Sequence, residues 1–158
     1  MADAMNDWNA LARALRDLHA ALLRRARTDH AREHGIAEIG PGELLMLVTR
    51  EESFAWLRVL SELMTDIDYL RDDPATAQGP ELRSAVRGAV EELLVRGSGN
   101  ADAGAFGARY WQYVHEDPAV AMAHGAVRQA IAAWPQPEGR GRGDLTQHRQ
   151  RAAARKRT

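Results

Sequence analysis

The sequence predicts an all-α fold, a single-domain bundle of five or six helices (residues 1–137) followed by a disordered basic C-terminal tail (residues 138–158). Three observations predict it. Apolar residues return every three or four positions through most of the chain, the spacing that lines one side of a helix. No stretch alternates apolar and polar residues as a half-buried strand would, and no internal repeat appears. Capping residues, prolines and glycines stand where the periodic stretches begin and end.

The first helix is expected from Asp3 or Asn6 to His34, a length of roughly 45 Å at the α-helical rise. Trp8, Leu11, Leu15, Leu18 and Leu22 recur at alternating three- and four-residue steps, the seam of a helix packed along a near-parallel neighbour. Gly35 followed by Ile36 fits a left-handed C-terminal cap. Beyond Leu22 the seam direction passes to Arg25, Asp29 and Glu33, so that half either projects from the bundle or meets something polar.

Gly40 and Pro41 open a short helix, Gly42 to Val48, whose Leu44, Leu45, Met46, Leu47 and Val48 are apolar on all sides and are therefore expected to be enclosed. The longest unbroken apolar stripe follows, from Ser53 to Leu70 (SFAWLRVLSELMTDIDYL), with Thr49 and Glu52 spaced as a reciprocal capping pair ahead of it. Trp56, Leu57, Val59, Leu60, Leu63, Met64, Ile67 and Leu70 share one arc of this central helix; Arg58, Glu62, Thr65, Asp66 and Tyr69 share the other. Asp73 and Pro74 end it, and a loop runs to Gly79.

Pro80 takes a first-turn position in the next helix, lined by Leu82, Val86, Ala89, Val90, Leu93 and Leu94 and stopped at Gly97. A small-residue loop to Gly104 leads into Ala105 to His115, where Phe106, Tyr110, Trp111 and Val114 make a narrow stripe. Asp117 and Pro118 supply an N-cap and first residue for the last helix, with Val120, His124, Val127, Ile131 and Trp134 on one line. Pro135 and Pro137 end it, and the residues after Glu138 contain almost nothing large and apolar, which predicts disorder with at most a short helix near Gln150 to Arg155.

The segment FAWLRVLSEL, with the Trp-containing first helix before it and RYWQYVHEDPAVAMAH after it, resembles a group of small uncharacterised all-helical bacterial proteins. The resemblance covers most of Asn6 to Trp134 and implies a helical fold; it brings no activity, ligand or site residue.

Composition narrows the chemistry. The chain has no cysteine, which removes disulfides, thiol nucleophiles and Cys-based zinc sites. The first residues, MADAMNDWNA, carry no basic apolar leader, and no run is long and uncharged enough to span a bilayer, so a cytoplasmic location is expected. Charge is uneven: from Glu138 onward seven basic residues face two acidic ones, a surplus of five, which against a chain total of −1 leaves −6 for residues 1–137.

His30, Ala31, Arg32, Glu33 and His34 spell the H-x-x-E-H pattern of inverted zinc proteases, in which two imidazoles one turn apart share a metal and the carboxylate activates water. The pattern is short, and the mixed fold and third ligand those enzymes need are not visible. A non-catalytic divalent-metal site at His30 and His34 is the alternative; His19 lies roughly 16 Å from His30 along the helix and cannot join the pair. A di-iron site is excluded, since no Glu has His three places later.

His124 sits in an otherwise apolar line, so it is either a buried histidine with an internal hydrogen bond or a ligand contact beside Tyr110 and Trp111. Glu62, Asp66, Tyr69 and Asp73 end the central helix where the macrodipole disfavours negative charge, with Arg24, Arg25 and Arg27 as expected counter-charges. Arg149, Arg151, Arg155, Lys156 and Arg157 offer phosphate contacts to nucleic acid, although no aromatic residue accompanies them; folding of the tail onto the acidic body is equally consistent.

No nucleophile with adjacent base and no phosphate-cradling glycine loop is found, so enzyme activity is not expected. The leading expectation is a non-enzymatic protein acting through protein contact as a homodimer, through a seam such as that of the first or last helix, on surplus stripes that include Trp8, Trp56, Trp111 and Trp134. A small-molecule or metal-binding bundle and a nucleic-acid accessory protein are the alternatives.

Overall fold

A computed structural model describes residues 2–36, 39–50, 52–95, 104–137 and 142–157. Among the described residues there are eight helical segments and no strand: α1 (Ala2–Glu33), α2 (Pro41–Arg50), α3 (Glu52–Ala55), α4 (Arg58–Arg71), α5 (Pro80–Leu94), α6 (Gly104–Glu116), α7 (Pro118–Ile131) and α8 (Arg142–Lys156). None is long and apolar enough to cross a membrane.

The seam of α1 lies against α7 and α4, which buries Trp8, Leu11, Leu15, Leu18 and Leu22 completely or nearly so. Its C-terminus closes as expected. Gly35 takes φ +64°, and the N–H groups of Ile36 and Gly35 turn back to the carbonyls of Ala31 (2.9 Å) and Arg32 (3.4 Å), a Schellman pair that satisfies two terminal carbonyls. At the other end of the bundle the Trp8 ring meets Trp134 edge to face at 4.9 Å, and its Nε1 donates to the Ala77 carbonyl at 2.9 Å. One side chain thereby ties α1 to the end of α7 and to the α4–α5 loop.

The α6–α7 hairpin is equally local in origin. Asp117 accepts from the Ala119 N–H at 2.9 Å, Pro118 follows it, and the chain reverses over one residue. Val120, His124, Val127 and Ile131 then face inward from α7.

The central stripe is not one helix. A turn at Trp56 and Leu57 separates α3 from α4. On an unbroken helix Phe54 and Trp56 would stand about 200° apart and could not share a buried side. With the break, Phe54, Trp56 and Leu57 are all buried, and Leu60, Leu63, Ile67 and Leu70 continue the core along α4. The side chains of the Thr49–Glu52 capping pair lie outside the described residues, as do most of the loop before Gly104 and residues 138–141.

The C-terminal segment also departs from the expectation of disorder. Arg142–Lys156 forms α8, two and a half times the length of the short helix anticipated near Gln150 to Arg155, and it packs along α5 and α4 with Leu145 and Ala152 buried. The missing apolar stripe is real: α8 buries only Leu145 and Ala152 among its described side chains, and the ion pairs it makes to Asp66 and Asp73 carry no periodic signal.

Candidate functional site

Four places in the fold gather the chemistry. The first is the contact between α6 and α7, where the hairpin sets the Tyr110 hydroxyl 2.6 Å from Nδ1 of His124. Phe106 stacks on Tyr110 at 5.2 Å, and Trp111 stands edge-on to both Tyr110 and His124. Burial pushes the Tyr110 phenol well above its ordinary range, and burial, aided by Arg128, pushes the His124 imidazole down. Both groups are neutral near pH 7 and each satisfies the other. Tyr110 is fully buried and His124 nearly so, which makes the pair an interhelical tie.

The second is the end of α1. His34 Nδ1 lies 2.9 Å from the His30 carbonyl, a contact in which the ring nitrogen must donate, leaving Nε2 available to a ligand. The His30 ring stacks on His34 at 4.1 Å and leans on Phe54 at 5.5 Å; it is buried, and its Nδ1 has no hydrogen-bond partner among the described residues. Glu33 is exposed beside them. No group of three or more potential metal-ligating side chains forms among the described residues, so the structure brings His30 and His34 together without a third ligand.

The polar half of α1 meets the α6–α7 hairpin and does not project. Arg25 reaches Asp29 (3.1 Å), Glu116 (2.9 Å) and Asp117 (3.8 Å), and lies over the Tyr113 ring, whose hydroxyl donates to Asp29 at 2.9 Å. Arg25 is therefore engaged away from the acidic end of α4, correcting its expected role there.

The counter-charges at that end come from α8, the third place. Arg149 pairs with Asp66, Arg155 reaches Asp73 at 2.5 Å, and Arg149 and Lys156 both lie over the Tyr69 ring, at 5.2 and 4.0 Å. Burial would raise the Asp73 carboxyl, but hydrogen bonds from Arg155, Thr76 and the Ala75 N–H outweigh it and hold Asp73 below the usual carboxylate value. Of the five tail cations read as phosphate contacts, Arg149, Arg155 and Lys156 reach partners on the body, the last two while themselves exposed, and Arg151 and Arg157 are exposed.

Polar clefts flank α8. One, of about 730 Å³, lies against α4 and includes Arg58, Ser61, Asp66, Arg149 and Gln150; the other, of about 410 Å³, lies against α5 and the chain after α7, with Ser84, Gln136, Asp144 and His148.

The fourth place is α2, where two residues of the apolar run expected to be enclosed are not; the side chains of Leu47 and Val48 lie outside the described residues. Leu44 packs against the core, but Leu45 is 68% and Met46 52% exposed, and Ile36 nearby in sequence is 44% exposed. The helix packs chiefly on the single turn of α3. Conversely, Trp8, Trp56 and Trp134 are buried and Trp111 is half-buried, so the tryptophan stripes expected to form an interface are core. Sequence periodicity identifies a helix that is apolar all round; it does not say whether the fold has room to cover it.

Comparison with protein-family models, with curated proteins and with solved structures returns no match.

Proposed function

We propose that this chain is a non-enzymatic helical-bundle protein that acts through protein contact and self-associates through α2. The exposure of Leu45 and Met46 on a helix that, among the described residues, packs chiefly on α3 supports this reading, because apolar side chains exposed together mark contact surfaces. A twofold axis through the helix would set the exposed Leu45 and Met46 of one copy against those of another. Ten residues make a small interface, and affinity at the weak end of the specific range is expected.

Sedimentation velocity across micromolar concentrations tests this. The wild-type chain should show a monomer–dimer equilibrium, and the double substitution Leu45→Glu with Met46→Glu should remove it while leaving helicity intact. A wild-type chain that stays monomeric at the highest concentration defeats the proposal.

A further inference from the structure

We infer that α8 is a binding helix for duplex nucleic-acid phosphates, and that the acidic end of α4 holds it shut in cis. The joint between α8 and the body is the basis. Among the described residues of α8 itself, Leu145 and Ala152 are the apolar side chains buried where it packs on α5 and α4. Against α4 and the turn after it the contact is charged: Arg149 on Asp66, Arg155 on Asp73, and Arg149 and Lys156 over Tyr69. Polar clefts of about 730 and 410 Å³ border the helix on its two sides, so solvent and salt reach the joint. A helix docked in this way separates more readily than one seated by an apolar stripe.

Its composition selects the ligand. The residues of α8 carry five cations, Arg142, Arg149, Arg151, Arg155 and Lys156, against Asp144 alone, with Arg157 following. One large apolar residue, Leu145, gives too little for insertion among lipid tails. No aromatic residue is present to stack on unpaired bases. What remains is neutralisation of a regular phosphate backbone, in which arginine is favoured. The carboxylates of Asp66 and Asp73 occupy in cis the positions of anions on that backbone. Residues 1–137 carry a charge of −6, which opposes approach of DNA while α8 lies against them. Docking and phosphate binding therefore compete for the same guanidinium groups.

Fluorescence anisotropy with a short labelled DNA duplex of arbitrary sequence, using the full chain, tests the inference. Asp66→Asn should open the joint and tighten binding about three- to fivefold, the effect of removing one partly exposed ion pair on a closed-state population. Tyr69→Leu, which removes the platform beneath Arg149 and Lys156 without touching a charge, should act in the same direction. It also keeps the test decisive if Asp66→Asn does not fold. Arg151→Gln with Arg157→Gln, both exposed, should weaken binding and reduce its salt dependence. Equal affinity of wild type and the folded release variants overturns the inference. So does absence of duplex binding in all of them, or binding to anionic lipid vesicles in preference to the duplex. None of these variants alters α2, so the result is separate from the self-association test.

Discussion

The Tyr110 hydroxyl and His124 Nδ1 are 2.6 Å apart across the α6–α7 contact, and both residues are buried. Removing either partner strands the other. His124→Leu and Tyr110→Phe should each cost about 1–3 kcal/mol, the penalty for a buried polar group left without a hydrogen bond. The double variant should cost less than the two single losses together, and urea unfolding of the four proteins gives the coupling directly. Strict additivity would show that the pair contributes nothing as a pair.

The same site predicts a pH dependence. Burial lowers the His124 pKa from its ordinary 6.5, and burial also lowers that of His19, whose Nε2 lies 3.1 Å from the Ser61 hydroxyl. Below about pH 6.5 the unfolded chain takes up protons that these rings refuse in the fold, so stability falls as pH drops through that value and continues to fall until the folded pKa values are reached. In His124→Leu the fall should be shallower. Urea midpoints measured across this window in the wild type and the variant test the sign; an identical fall removes His124 from the account.

How much of this could be seen beforehand depends on what holds each element. The seam of α1, the Gly35 cap and the Asp117–Pro118 start of α7 were legible because each is a local rule written in adjacent residues. His124 was visible as a polar residue in an apolar line, and Tyr110 was among its named neighbours. The break at Trp56–Leu57 was not legible, since a helix containing Phe54 and Trp56 looks continuous until both must be buried in one core. The docking of α8 escaped for a different reason: Arg149 and Asp66 are 83 residues apart, and ion pairs leave no period in a sequence. The exposure of Leu45 and Met46 reverses an expectation because burial belongs to the whole fold and not to the helix.

Trp8 joins three elements, and its two contacts can be separated. Trp8→Phe keeps an aromatic ring beside Trp134 but loses the Nε1 bond to Ala77, and should cost about 1–3 kcal/mol through the unsatisfied carbonyl and the lost volume. Trp8→Ala, which also empties the site, should cost about 3–5 kcal/mol. Thermal or urea unfolding ranks the two, and equal losses would mean that the indole N–H bond is immaterial.

Gly35 has open space around the position of a Cβ, so the effect of Gly35→Ala isolates its φ of +64° from any collision. An alanine in the left-handed region costs about 1–2 kcal/mol. Because the Schellman bonds close only with that conformation, the loss should appear with faster amide exchange at Gly35 and Ile36 rather than throughout α1. Unchanged stability would show that the end of α1 relaxes to another cap.

Asp73 offers a test of what fastens α8 that does not depend on any ligand. Its carboxyl is held below the ordinary value, against the effect of burial, by Arg155, Thr76 and the Ala75 N–H. A depressed aspartate contributes stability that is fully present above its unfolded value near 3.9 and is lost as pH falls through the lower folded value. The loss therefore belongs to the strongly acid range and leaves neutral pH untouched. Asp73→Asn retains one oxygen, which can still accept from the Ala75 N–H, but loses the charge and the second oxygen, to which Thr76 and, at 2.5 Å, Arg155 donate. Hydrogen exchange at about pH 5, above the titration, should show faster exchange along α8 in the variant while α1 and α7 keep their protection. At still lower pH the wild-type chain should lose stability that the variant has already lost, so their urea midpoints converge. If α8 exchanges at the same rate in both proteins at pH above the titration, the Arg155–Asp73 pair does not secure the helix.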